Sequence, residues 1–430
     1  MKNNKNKLVL IYDGNIFAHE FLKNSSRSGI FFVALNLIKE FAKFENIEII
    51  LYYNYRNYHK LKILLEQNKL PNKCRLTTKD YQYNLLNYVF IRALDYSIPL
   101  NKDNIIKKTI RYLIYRFLRI KNMTNINILQ NADIYFSACD KIPDEILNNP
   151  KIKSYQLLHD VIPIVMEKEY RGFNSPFLWM KDIVNSLNNN NTYFAVSEYT
   201  KNDFLKFAPW MNEKKIIVSP LGANDKFYRE LDINKISKVK EKYKIPINKK
   251  YVFSLCTLEP RKNILFAIKC FLQFIEKNKV NDIVIALGGA SWKEFKPVLE
   301  KELFDLSDYK DFIIKLGYVE DEDLNILYSG AEVFVYPSLY EGFGLPILEA
   351  MQCGCPVITS NRTSIPEVIG NAGIQINPTS ETEMIDSLEK FYFNDLYRKE
   401  CINKGLERAK EFSWSKCAKI MIENFYKDVI

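Results

Sequence analysis

Residues 336–349 read YPSLYEGFGLPILE, and the pattern of this stretch organises the reading of the whole chain. The apolar run Val333–Tyr336 leading into it reads as a buried parallel strand. Pro337 and Ser338 end that strand, and a loop carries Glu341-Gly342-Phe343-Gly344. A helix is expected from Leu345-Pro346, since proline at the first helical position loses only an N–H that would be unpaired there. Gly354 is placed to end it. Free backbone N–H groups and the positive end of a helix dipole therefore meet in one small volume, which makes an anion site. Glu341 and Glu349 bracket the loop, eight positions apart. Carboxylates are poor phosphate ligands, but they accept hydrogen bonds from hydroxyls on either side of a phosphate. A nucleotide sugar has that layout, with ribose hydroxyls, a diphosphate and sugar hydroxyls in line. The plainer alternative is a strand-turn-helix unit with solvated glutamates.

Within EGFGLPILEAMQCGCPVITS (341–360) the spacing resembles the Glu-x7-Glu motif of retaining glycosyltransferases of family 4. The resemblance implies an α/β chain with two facing Rossmann-like domains, the GT-B fold. It implies an N-terminal acceptor-side domain over 1–222 and a nucleotide-sugar-binding domain over 223–410. It also implies that a helix over 411–430 crosses back onto the first domain. The implied activity is transfer of a hexose-type sugar from a nucleotide-diphosphate sugar to a hydroxyl of a growing or lipid-linked glycan. Anomeric configuration would be retained, and the setting would be bacterial surface polysaccharide, lipopolysaccharide or capsule.

A length of 430 residues suits two or three domains, and 47% apolar content supplies their cores. The balance of 61 basic against 51 acidic residues, net +10, points to an anionic partner. Eight cysteines, at 74, 139, 256, 270, 353, 355, 401 and 417, show no zinc spacing, so buried free thiols in a reducing compartment are expected. In the opening MKNNKNKLVLIYDG, Asp13 interrupts the apolar run too early for a signal-peptide core. No run approaches the roughly 18 apolar residues of a membrane span. A cytoplasmic protein is the expectation.

Leu8–Tyr12 reads as a first strand, 30–44 as a helix and Ile47–Tyr53 as a second strand, the opening of a Rossmann-like half. Gly29, just before the helix, suits a close backbone approach to a ligand, and the family places a glycine loop there; a plain turn fits equally well. Residues 104–121 form an amphipathic pattern, with Ile106, Ile110, Leu113, Phe117 and Ile120 opposite Lys108, Arg111, Tyr112, Tyr115, Arg116 and Arg119. Basic residues interleaved with tyrosines suit peripheral contact with an anionic inner-membrane surface, and a solvated helix with its core face inward fits as well. His159-Asp160 sits at the end of the strand Ser154–Leu158, where open α/β sheets bind ligands. The segment HDVIP resembles the family's His-Asp segment, whose histidine faces the donor sugar, and Asp160 is expected to cap the next turn or orient the imidazole. Ser197 and Thr200 are expected to cap the helix beginning VSEYTKNDF.

Residues 224–250, polar and charged, read as a linker. After the strand Tyr251–Leu255, the turn LEPRKN places Arg261 and Lys262 at a strand end before a helix, the makings of a diphosphate clamp. It resembles the family's phosphate-binding segment, although Cys256 stands where many relatives have glycine. By resemblance, Gly288-Gly289 and Leu316–Val319 lie near the nucleotide base. Asp321-Glu322-Asp323 superficially matches the Asp-x-Asp metal motif of another glycosyltransferase class, but it precedes a helix, so capping and dipole compensation explain it.

The resemblance assigns roles as follows. Glu349 would hold the ribose diol and Glu341 a sugar hydroxyl. Gly342 shapes the loop whose Phe343, Gly344 and Leu345 amides bind sugar and phosphate oxygens. Arg261 and Lys262 would neutralise the departing diphosphate, which makes a metal cofactor unnecessary. Two other readings stay open: a nucleotide-sugar epimerase of the same fold, and a non-catalytic partner in a polysaccharide-assembly complex. Nucleic acid is not an expected partner.

Overall fold

The computed structural model describes residues 7–21, 29–53, 57–76, 126–170, 176–255, 259–289, 301 and 309–429. The expected 104–121 helix and Cys256 lie outside them. Two sheets organise the chain, and every pairing described in them is parallel. The first has seven strands in the order β3-β2-β1-β4-β5-β6-β7. These are Leu8–Asp13 (β1), Ile47–Tyr52 (β2), Cys74–Arg75 (β3), Ile134–Ser137 (β4), Lys153–Leu158 (β5), Thr192–Ala195 (β6) and Ile216–Val218 (β7). The second has six, ordered β10-β9-β8-β11-β12-β13. These are Lys250–Leu255 (β8), Ile283–Gly288 (β9), Ile313–Gly317 (β10), Val333–Tyr336 (β11), Val357–Ser360 (β12) and Ile374–Ile376 (β13). Strands such as β9 and β11 are buried along their whole length, which is why they read as unbroken apolar runs rather than alternating ones.

By its contacts the chain forms two compact units, residues 1–156 with 422–430, and residues 157–421. The first holds an apolar cluster including Ile11, Tyr135, Ile142 and Ile146. Its other anchor is Phe425, fully buried among the rings of Phe41, Phe136 and Tyr155 at centroid distances of 5.7, 6.0 and 4.7 Å. The Tyr155 hydroxyl donates to Asp428 (2.5 Å), and its oxygen lies 3.1 Å from the carbonyl of Asn424. The last helix, Trp414–Val429, turns Ala418, Met421, Ile422 and Phe425 inward, the face its spacing predicts. Two apolar clusters fill the second unit, one around Met180, Tyr193 and Phe204, the other around Phe271, Phe274, Ile285 and Val335.

Residues 224–250 are not the plain linker expected of them. They contain a helix, Ile233–Lys242, capped by the Asp232 carboxylate and burying Val239 and Lys240. A lysine was the obstacle to reading it: the Lys240 ammonium bonds the carbonyls of Ile247 and Lys249 at 2.7 Å each, so its stem packs inward although its charge reads as surface. A short helix, Ile365–Ile369, follows β12. Seven described cysteines are free thiols, six of them buried. Among the described residues no helix is long and apolar enough to cross a membrane.

Because Phe425 has three aromatic neighbours and no solvent, Phe425→Ala is expected to lower unfolding stability by about 3–5 kcal/mol, read from the denaturant midpoint.

Candidate active site

The order of the second sheet reverses between β8 and β11. Ligands of open α/β sheets bind at such a reversal, beyond the carboxyl ends of the strands. The loop leaving β8 carries Arg261 and Lys262 in a single 3-10 turn, Pro260–Lys262. Asn263 follows in the left-handed region at φ 57°, and its side-chain amide donates to the Pro378 carbonyl (2.8 Å), turning the chain into the helix Ile264–Asn278. The loop leaving β11 carries Glu341–Gly344. The two loops are stitched together at the carbonyl of Arg261, which accepts from the Leu339 N–H (2.7 Å) and has the Ser338 hydroxyl oxygen 3.1 Å away.

Glu341 is the centre of this site. Its Oε1 accepts from the Lys262 ammonium (2.6 Å), the Tyr336 hydroxyl (2.8 Å) and the Ser338 hydroxyl (2.6 Å). Its Oε2 pairs with Arg261 Nη1 at 2.9 Å. Glu341 is 7% exposed and Lys262 8%. Burial pushes the carboxyl's pKa upward, but Lys262 and Arg261 overcome that and hold it at about 2. Burial also works against the charge on Arg261, and there too the Glu341 carboxylate wins and raises the pKa. Arg261 Nε bonds Glu259 (2.9 Å), whose carboxylate also accepts from the Tyr170 hydroxyl (2.9 Å).

Gly342 has no alternative residue at its position. A Cβ there would lie 2.2 Å from the His159 carbonyl oxygen and 2.9 Å from Asp160 Cβ. The loop thus lies directly on the His159-Asp160 segment that follows β5. Asp160 caps the turn after it, accepting from the Ile162 N–H (3.0 Å), and burial raises its pKa. Gly344 has φ +115°, a backbone that disfavours side chains. Beyond it the helix Leu345–Gln352 begins, with Pro346 in its first turn. Among the described residues nothing accepts from the N–H groups of Phe343, Gly344 or Leu345. Gly354 closes the helix at φ +67°, with Gly354 N–H on the Met351 carbonyl and Cys355 N–H on that of Ala350.

Glu349, on that helix, has the opposite electrostatics. Desolvation raises its pKa to about 7, against the smaller opposing pulls of Lys226 and of the Tyr328 hydroxyl, which donates to it at 3.2 Å. Asp321-Glu322-Asp323 form the first turn of the helix Asp321–Ser329, as dipole compensation requires. Asp321 pairs with Lys226 (3.1 Å) and Asp323 with Lys242 (2.5 Å). Among the described residues no group of three or more His, Cys, Asp or Glu side chains is placed to hold a metal ion.

The structure therefore gathers His159, Arg261, Lys262 and Glu341–Leu345 at the ends of β5, β8 and β11. Gly29 begins the helix Gly29–Ala42 in the other compact unit, where a Cβ would meet nothing within 4 Å. Tyr336, Ser338 and Tyr328 escape sequence reading, because strand and helix tyrosines carry no mark that their hydroxyls face a carboxylate.

Two parallel α/β sheets, with paired cations and a glycine loop at the switch point of the second, are the architecture of the GT-B type of fold. The chain belongs to the group 1 glycosyl transferases, whose family model matches residues 235–408. O-antigen chain mannosyltransferase B of Escherichia coli is 33% identical over 269 residues, 63% of this chain and 68% of that protein. Serotype-specific mannosyltransferase WbdA of Escherichia coli is 29% identical over 279 residues, 65% of this chain but only 34% of that protein's length. Among solved structures, Anabaena Alr3699/HepE in complex with UDP and glucose superposes with a TM-score of 0.64 at 15% identity, over 98% of this chain and 100% of that one, a likeness of fold.

Lys262→Met is expected to lower stability by about 3 kcal/mol in denaturant titrations, because it takes one of two cations from a buried carboxylate; adding Glu341→Gln should recover part of that loss. The folded pKa of Glu349, about 7, stands above its ordinary 4.5, so its contribution to stability is fully present below 4.5 and is lost as pH rises through 7. Glu349→Gln is therefore expected to flatten the fall in melting temperature between pH 5 and 8.

Proposed function

We propose that the protein moves a hexose, mannose in the first instance, from a nucleotide-diphosphate sugar to a hydroxyl of a growing O-antigen-type glycan, with retention of anomeric configuration. The observation that carries this reading is the Glu341–Arg261–Lys262 cluster at the β8/β11 switch point, beside N–H groups with no acceptor among the described residues. The mannosyltransferases it resembles favour the sugar and the setting. On this reading residues 1–222 are the acceptor side, with Gly29 at the acceptor or donor phosphate, residues 223–410 bind the donor, and the helix over 411–430 returns to the first domain. An acceptor carried on lipid would bring the protein, net +10, to the anionic inner face of the cytoplasmic membrane.

The diphosphate sits on the N–H groups of Phe343, Gly344 and Leu345 and meets Arg261 and Lys262. Arg261 uses Nε and Nη1 in the bonds described, leaving Nη2 for an anion. Oε2 of Glu341 has one donor among the described residues, leaving room for a sugar hydroxyl. Glu349 accepts from the ribose diol, and His159 faces the donor sugar. As the bond between the anomeric carbon and the phosphate oxygen breaks, charge grows on the diphosphate, where cations and amides already point. The acceptor oxygen bonds to the anomeric carbon, and its proton passes to the departing phosphate oxygen. Two cations and a helix N-terminus supply the positive charge for this step, so no metal is required of it.

A thermal-shift panel of nucleotide sugars run in EDTA tests the reading: the true donor should raise the melting temperature by linkage, and a glycan acceptor should then be consumed. Glu349→Ala should abolish that shift and leave the fold intact. A donor that changes form with no acceptor consumed would mean an epimerase, and unchanged donor affinity in Glu349→Ala by calorimetry would overturn the assignment.

A further inference from the structure

The donor loop rests on one helix, Glu198–Phe207. Ser197, Thr200 and Asp203 recur every three residues and so share one edge of it. All three meet residues 340–342. The hydroxyls of Ser197 (2.8 Å) and Thr200 (3.0 Å) reach the Gly342 carbonyl. The Asp203 carboxylate accepts from the Tyr340 hydroxyl, and the Tyr199 ring packs edge-on against Tyr340 at 5.9 Å. Glu367 holds the near end of the helix, accepting from the N–H groups of Glu198 and Tyr199 at 2.8 Å each. Tyr340 is tied onward to the cations: its carbonyl accepts from Arg261 Nη1 (3.3 Å), and Glu341 is the next residue.

Ser197 already has a task in its own helix, as the cap that accepts from the Thr200 N–H. Asp203 has none. It stands mid-helix, where aspartate is a poor helix former. Burial and the nearby Asp160 carboxylate raise its pKa to about 6 against the pull of Lys206. A carboxylate kept there despite desolvation and a like charge is explained by what it holds, and what it holds is the tyrosine beside Glu341.

We propose that Asp203 is a positioning residue for glycosyl transfer: through the Tyr340 hydroxyl it fixes the loop that carries Glu341 and the 343–345 amides before the donor arrives. The proposal rests on the donor-loop reading given above. Its test uses the full chain with Asp203→Ala, Asp203→Asn, Tyr340→Phe and the Asp203→Ala/Tyr340→Phe double variant. Two readouts are taken: hydrogen exchange of the Glu341 amide, which donates to the Thr363 hydroxyl (3.1 Å), without donor, and turnover of GDP-mannose on a mannose-terminated oligosaccharide. Asp203→Ala and Tyr340→Phe should each speed exchange and lower kcat about tenfold or more with KM for the donor little changed. The double variant should be no worse than either single change. Asp203→Asn should recover most of both, since its amide oxygen accepts the same bond. If Asp203→Ala does not fold, Tyr340→Phe, which removes one hydroxyl, carries the test. A Glu341 amide that exchanges no faster in these variants, or losses that add in the double variant, overturn the proposal. A wild-type chain that turns over no nucleotide sugar overturns the donor-loop reading alone, and exchange still decides on Asp203.

Discussion

A buried carboxylate with four donors ties together the two loops at the switch point of the second sheet. Glu341 brings together side chains from two strand-to-loop turns, Lys262 and Arg261 after β8, Tyr336 and Ser338 at the end of β11. Desolvating a charge is costly, and a buried ion pair repays that cost only when its geometry satisfies nearly every lone pair. Here it does, and the carboxyl pKa near 2 is the electrostatic record of it. The same cluster confines two cations beside a helix N-terminus. Without their counter-ion they would repel each other, and with it they are held side by side.

The two glutamates of the motif have been driven apart. Glu341 is held ionised at any physiological pH, while desolvation, against the pull of Lys226 and the Tyr328 hydroxyl, raises the Glu349 pKa to about 7. Pairs of titratable groups whose surroundings separate their pKa values mark different tasks within one site. The first is a counter-ion bonded on both of its oxygens. The second is a carboxyl whose charged form desolvation disfavours.

Legibility followed the range of the interactions concerned. The β11 strand, the loop after it, the proline in the first helical turn and the closing Gly354 depend on neighbours within a few residues, and the sequence pattern announces them. The same holds for Ser197 as a cap and for the acids opening the helix Asp321–Ser329. The helix Ile233–Lys242 was hidden because a lysine stem fills its buried face, and the charge that signals a surface there ends on two carbonyls. Within the site, Arg261 and Lys262 were visible as cations at a strand end, but their pairing with Glu341 joins residues 79 and 80 positions apart and leaves no local mark.

Composition, periodicity and the Glu-x7-Glu stretch sufficed for an α/β chain with a glycine loop between a strand and a helix, because hydrophobic period, capping and backbone conformation are set by near neighbours. Which atoms face one another was settled by the packing of distant segments. Gly342 must be glycine because the His159 carbonyl, nearly two hundred positions earlier in the chain, lies where its Cβ would be. Glu349 and Glu341 are the same residue type in one motif, and their acidities differ because charge and desolvation depend on distance in space, which a linear order does not record.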